Sequence, residues 1–157
     1  DDTAFTTLLE EMRAALPDTK ISVATDEWQP DLISRFSGSK SYWTSAQFKE
    51  VAKYANQIVV MTYDTGFKDP RLYHWWVEQQ TIATSNLVPA NVELFIGIPS
   101  YSTGASFDPA VENIVTGLAG FHRGYSNVRT TAKSLSGIAV YSYWETDDSE
   151  FQTLKNL

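Results

Sequence analysis

Ile58-Val59-Val60-Met61, running on into Thr62-Tyr63-Asp64, is the stretch that decides how this chain folds. Four apolar residues in succession, three of them β-branched, read as a strand buried on both faces, which is what a parallel sheet demands. The segment before it, Ser45 to Ala55, carries Phe48, Val51, Ala52 and Ala55 at helical spacing. The segment after it opens at Asp69-Pro70, a capping side chain followed by proline at the first turn. Leu72, Trp75, Trp76, Gln79 and Ile82 then mark a second helix. Helix, strand, helix is the unit.

The unit repeats in both directions. Toward the N-terminus, Ile21 to Thr25 is a short strand, and Phe5, Leu8, Leu9, Met12 and Leu16 mark a helix. Asp2 or Thr3 caps that helix and Pro17 stops it. Residues 26–44 between strand and helix are irregular and aromatic (Trp28, Phe36, Tyr42, Trp43), with a short helix expected from Pro30. Toward the C-terminus, Val92 to Ile98 is a third strand, and Asp108-Pro109 repeats the helix-start signal ahead of Val111, Ile114, Val115, Leu118 and Phe121. Gly137 to Tyr143 is a fourth strand, and a last helix begins at Asp148 or Ser149 with Phe151 and Leu154.

Strict alternation of helix and strand predicts an α/β fold with parallel strands and right-handed crossovers. Four such units in one domain spanning residues 1–157 amount to half of a (β/α)8 TIM barrel, whose full circle takes about 250 residues. A doubly wound open sheet is the competing architecture, but no G-x-G-x-x-G or P-loop turn follows any strand.

Composition narrows the function. Of 157 residues 43% are hydrophobic and 20% charged, a globular balance. Five Trp, eight Tyr and eight Phe supply more aromatic surface than a core of this size requires, and surplus Trp and Tyr suit flat amphipathic ligands such as sugars. A net charge of −7 repels phosphate backbones and anionic membranes, so neither nucleic acid nor membrane is expected as a partner. The absence of cysteine removes disulfides and thiolate metal sites. His74 and His122 fall within helices without metal-ligand spacing, and no cofactor or metal is expected. The chain opens on Asp1-Asp2-Thr3, with no signal-peptide pattern to set its compartment.

In barrels the chemistry sits where strands give way to the following loops. Those places read Thr25-Asp26-Glu27-Trp28, Met61-Thr62-Tyr63-Asp64, Gly97-Ile98-Pro99-Ser100-Tyr101 and Tyr141-Ser142-Tyr143-Trp144-Glu145. Aromatic rings beside carboxylates at every end suit a carbohydrate cleft, where rings stack on sugar faces and carboxylates accept from hydroxyls.

Three of these stretches carry a resemblance. Tyr54-Ala55-Asn56-Gln57-Ile58-Val59-Val60-Met61-Thr62-Tyr63-Asp64 looks like the sixth strand of glycoside hydrolase family 18, the chitinase type, which ends in M-x-Y-D. Gly97-Ile98-Pro99-Ser100-Tyr101 is similar to that family's seventh-strand segment. Gly137-Ile138-Ala139-Val140-Tyr141-Ser142-Tyr143-Trp144-Glu145 resembles the eighth, which ends in the tryptophan beneath the bound sugar. The resemblance spans the chain in order and implies that its four strands are the fifth to eighth (β5–β8) of such a barrel. It also implies that the family's D-x-x-D-x-D-x-E segment, with the proton-donating Glu, lies upstream of Asp1 in a missing N-terminal half barrel.

Family 18 enzymes work by substrate assistance: the 2-acetamido carbonyl of an N-acetylglucosamine attacks its own anomeric carbon. On that resemblance, Tyr63 is expected to orient the acetamido group and Asp64 to bond the sugar or the general acid. Trp144 is expected as the sugar floor, Met61 as filling beneath Tyr63, and Tyr101, Glu145, Trp28 and Trp43 as flanking contacts. Asp26 and Glu27, like Glu145, are strand-end carboxylates whose ordinary role is solvated or structural. The expected activity is retaining hydrolysis of β-1,4-linked N-acetylglucosamine polymers, chitin or a chitin-like glycan. Peptidoglycan cleavage and a catalytically inactive chitinase-like lectin are the alternatives, and the resemblance implies an extracellular or cell-envelope parent.

Overall fold

A computed structural model describes residues 2–30, 43–101 and 108–156. In chain order these form α1 (Asp2–Ala15), β1 (Ser22–Thr25), α2 (Ser45–Val51), β2 (Gln57–Met61), α3 (Pro70–Leu87), β3 (Glu93–Pro99), α4 (Ile114–Val128), β4 (Leu135–Tyr141) and α5 (Asp148–Lys155). A single 3-10 turn, Tyr143–Glu145, separates β4 from α5. The four strands make one parallel sheet in the order β1-β2-β3-β4. The expected α/β alternation is therefore present, and every crossover advances in the same direction. A short helix expected from Pro30 falls outside the described residues.

Burial along β2 shows how the sheet is clothed. Ile58, Val60 and Thr62 are buried, while Gln57, Val59, Met61 and Tyr63 alternate with them and are half-buried. Ile58 and Val60 join Val23, Leu94 and Ile96 in a core completed by Leu9 of α1, Phe48 and Val51 of α2, and Tyr73 and Val77 of α3. Ile98 packs with Ile114 and Leu118 of α4, with Ile138, Val140 and Leu154 against them. The described helices thus cover one face. The apolar run at β2 predicts burial on both faces; Val59 and Met61 depart from that because no described element covers the second face.

That second face is built in rows. Register pairs Ser22 with Gln57 and Gln57 with Glu93, then Ala24 with Val59, Phe95 and Gly137, then Met61 with Gly97 and Ala139. The lowest row is polar: the Ser22 hydroxyl lies 2.7 Å from Gln57 Oε1, and Gln57 Nε2 donates to Glu93 at 3.3 Å. Above it the row residues are apolar or small. Small residues leave room for rings at the top.

Several boundaries move: α2 stops at Val51 rather than Ala55, and β4 opens at Leu135 rather than Gly137. Asp108-Pro109 does not open α4. Asp108 Oδ1 accepts from the Ala110 N–H and its carbonyl from the Val111 and Glu112 N–H groups, closing one turn. Asn113 is the true cap, accepting from the Thr116 N–H at 3.0 Å. The turn places Val111 and Glu112 inside the protein. Strand β4 ends at Tyr141 rather than Tyr143, because its last ladder bond is the Ser100 N–H to the Tyr141 carbonyl. Helices α3 and α4 pack closely through Gly120 and Gly124, where an added Cβ at Gly124 would lie 2.6 Å from Thr81 Cβ, and Gly117 lets α4 approach β3, since a Cβ there would lie 2.6 Å from Ile98 Cγ2. Among the described residues no helix is long and apolar enough to cross a membrane.

Candidate functional site

The C-terminal ends of the strands gather a row of aromatic rings over the uncovered face. Tyr63 follows β2, one residue beyond Thr62, whose N–H and hydroxyl both bond the Gly97 carbonyl (3.2 and 2.7 Å). That double contact prolongs the β2–β3 pairing up to the residue before Tyr63. Gly97 beneath it has to be glycine-sized: an added Cβ would sit 3.3 Å from Tyr63 Cε1 and 3.0 Å from the Val60 carbonyl oxygen. The Tyr63 ring stacks on Tyr141, the last residue of β4, with centroids 5.4 Å apart and planes 9° from parallel. Tyr101 meets both rings edge-on, at 6.0 Å to Tyr63 and 5.7 Å to Tyr141. Trp144 continues the row, edge-on to Tyr141 at 5.8 Å, and is 73% exposed.

The structure therefore joins Tyr63 and Trp144, and Tyr141 is the ring that links them. Sequence reading missed Tyr141 as a site residue. Its signal was alternation: Gly137, Ala139 and Tyr141 lie on the same strand face, and the register pairs them with Phe95, Gly97 and Pro99. The turn bearing Trp144 is tied down from β3. The Ser100 hydroxyl donates to the Ser142 carbonyl at 3.0 Å and lies 2.7 Å from Thr146 Oγ1, which also bonds the Ser142 carbonyl.

Polar groups border the rings. Asp64 is exposed, adopts a left-handed backbone (φ 61), and accepts a 2.8 Å hydrogen bond from the Tyr101 hydroxyl. Burial, helped by the negative charge of Asp64 and Asp26, pushes the Tyr63 phenol up to about 12. Tyr101 is raised in the same direction by burial and by its hydrogen bond to Asp64. Both phenols thus remain protonated donors near neutral pH. Asp26, just past β1, has its carboxyl raised by partial burial and stands close enough to act on Tyr63.

Other sequence candidates lie elsewhere. Met61 sits two residues below Tyr63 on the uncovered face, in register with Gly97. Glu145 is exposed on the 3-10 turn. Trp28 is held by α3 and α2: Gln80 accepts from its N–H at 2.7 Å and donates to its carbonyl at 2.9 Å, while its indole N–H bonds Ser45 Oγ at 3.1 Å. Trp43 packs edge-on against Phe5 and Phe48. These two indoles support the fold rather than extend the row. Glu27 faces α3, where the Trp76 indole N–H donates to it at 3.2 Å, and burial pushes its carboxyl up to about 7.

Chemically, the row offers ring faces to a flat ligand, the Tyr63 phenol as a donor and the Asp64 carboxylate as an acceptor at its rim. Among the described residues no three His, Cys, Asp or Glu side chains gather as a metal site. Comparison with family models, curated proteins and solved structures finds no match in any of the three.

Proposed function

We propose that this chain is the C-terminal half of a (β/α)8-barrel glycoside hydrolase of the family 18 type, acting on β-1,4-linked N-acetylglucosamine polymers. The observation that carries the reading is the Tyr63–Tyr141–Trp144 row at the C-terminal ends of parallel strands, with Asp64 at its edge. Sequential strand order with the helices on one face supports the half barrel, because crossovers that never reverse curl a twisted sheet toward closure.

In this reading a sugar ring lies on the Trp144 face with one edge toward Tyr141, and Tyr63 donates to the oxygen of its 2-acetamido group. That oxygen attacks the anomeric carbon as the glycosidic bond breaks, and the leaving oxygen takes a proton from a Glu supplied by the other half barrel. Water then opens the cyclic intermediate with retention. The raised Tyr63 phenol suits this task, since the hydroxyl must stay a donor throughout.

Titration of the chain with chitotetraose, followed by tryptophan fluorescence and calorimetry, tests the reading. Saturable binding without turnover is expected, with Tyr63→Phe weakening it roughly tenfold, the scale of one lost hydrogen bond. Absence of binding, or hydrolysis by the chain alone, overturns it.

A further inference from the structure

One carboxylate that this chemistry leaves unused lies directly behind the Tyr63-Asp64 loop. Glu112 comes from the turn between β3 and α4 and is fully buried. Its Oε1 accepts from the Thr65 hydroxyl at 2.7 Å and from the Gly66 N–H at 3.1 Å, and its Oε2 accepts from the Thr65 N–H at 3.3 Å. The Thr65 hydroxyl in turn accepts from the Phe67 N–H at 3.3 Å. Asp64 and Gly66, on either side of Thr65, both have left-handed backbones (φ 61 and 70). Winding of that kind points successive N–H groups the same way and forms a concavity suited to an anion. Here the anion belongs to the protein.

The arrangement answers two costs at once. A buried carboxylate needs its acceptors filled, and the loop fills both oxygens. A non-glycine residue in the left-handed region persists only where its surroundings hold it there, and Asp64 is such a residue. Its backbone is fixed from behind by Glu112 through Thr65 and Gly66, while its side chain is fixed from above by the Tyr101 hydroxyl. Tyr63, the preceding residue, inherits the direction this sets.

We infer that Glu112 is a positioning residue for the candidate site, setting how Tyr63 and Asp64 are presented to the ligand. The inference rests on the reading of those two residues as glycan contacts, and its test keeps the two apart. The wild-type chain, Glu112→Gln and Thr65→Val are compared by NMR without ligand and by chitotetraose titration. In Glu112→Gln the Thr65 and Gly66 amide resonances should move upfield and the Tyr63–Tyr101 ring-to-ring NOEs should weaken, while the amides of β1 and β3 stay in place. Affinity for chitotetraose should fall roughly tenfold, the scale of a hydrogen bond to a charged group. Thr65→Val, which removes the hydroxyl that donates to Glu112 and accepts from the Phe67 N–H but leaves the two backbone bonds to the carboxylate, should do the same to a smaller extent and carries the test if Glu112→Gln does not fold. Unchanged Tyr63–Tyr101 NOEs in the folded variants overturn the inference. A wild-type chain that ignores the sugar overturns the glycan reading instead, and the NOEs then decide the role of Glu112 by themselves.

Discussion

Tyr63 and Tyr141 stack face to face across β3, joining the exit of β2 to the end of β4. Gly97 and Ala139 lie in the row beneath, beside Met61. Because Tyr141 also carries the edge contact to Trp144, it links Tyr63 to Trp144 among the described residues. Tyr141→Ala should therefore weaken chito-oligosaccharide binding about five- to tenfold, the scale of one lost aromatic pair plus some sugar contact. Tyr141→Phe keeps the ring and should stay close to wild type. Equal affinities for Tyr141→Ala and wild type in calorimetry would remove Tyr141 from the site.

Glu27 gives a prediction about pH. Burial lifts its carboxyl from an ordinary 4.5 to about 7, so between those values the folded chain binds a proton that the unfolded chain has released. Stability contributed by the neutral form is complete below about pH 4.5 and is lost as pH rises through about 7. Each unit of separation corresponds to about 1.4 kcal/mol, an upper figure because the group is not wholly enclosed. Urea unfolding at pH 5 and pH 8 should show the wild type weaker at the higher value, with Glu27→Gln flattening the difference. A Glu27→Gln variant with the same pH dependence as wild type would mean that Glu27 titrates normally.

The sheet was legible because its signal is redundant. The apolar run Ile58–Met61 lies between two amphipathic segments, and Asp69-Pro70 caps α3 as its residues suggest, with Asp69 accepting from the Arg71 N–H. At α4 two capping signals compete five residues apart, at Asp108 and Asn113. Periodicity cannot choose between them, since the choice depends on Glu112 reaching the β2 loop. The site was legible in part for the same reason. Tyr63, Asp64, Tyr101 and Trp144 announce themselves as unusual residues after strands. Tyr141 looks like one more aromatic strand residue until the register shows which face it occupies. Trp28 misleads in the opposite sense, because only the contacts of Gln80 and Ser45 reveal that its indole is spent on packing.

The glycine stripe of α4 predicts a cost elsewhere in the fold. A Cβ at Gly120 would collide with the His74 carbonyl oxygen of α3 and approach Val77 Cβ to 2.9 Å. Backbone atoms cannot yield as a flexible side chain can, so the helices would have to part. Overpacking of this kind costs about 1–3 kcal/mol, against a gain of about 1 kcal/mol from replacing a helical glycine by alanine. Gly120→Ala should therefore lower Tm by a few degrees, whereas Ser126→Ala at an exposed position of the same helix should leave it nearly unchanged. A Gly120→Ala chain that melts higher than wild type would show that the two helices can separate freely.

The last prediction concerns the surfaces that the described elements leave bare. β1 and β4 are the outer strands of the sheet, Val59, Met61 and Phe95 lie half-buried on its uncovered face, and α1 presents Phe5, Leu8, Met12 and Leu16 as a partly exposed apolar stripe. Unpaired strand edges beside apolar surface invite association. The isolated chain should accordingly self-associate, with a light-scattering mass that rises with concentration. Leu8→Lys together with Met12→Glu should reduce that rise if the α1 stripe contributes. The half-barrel proposal makes the same demand, because half of a barrel needs a complementary surface to close against. A monomer of constant mass that melts cooperatively at high concentration would count against both the exposed-surface argument and the half barrel.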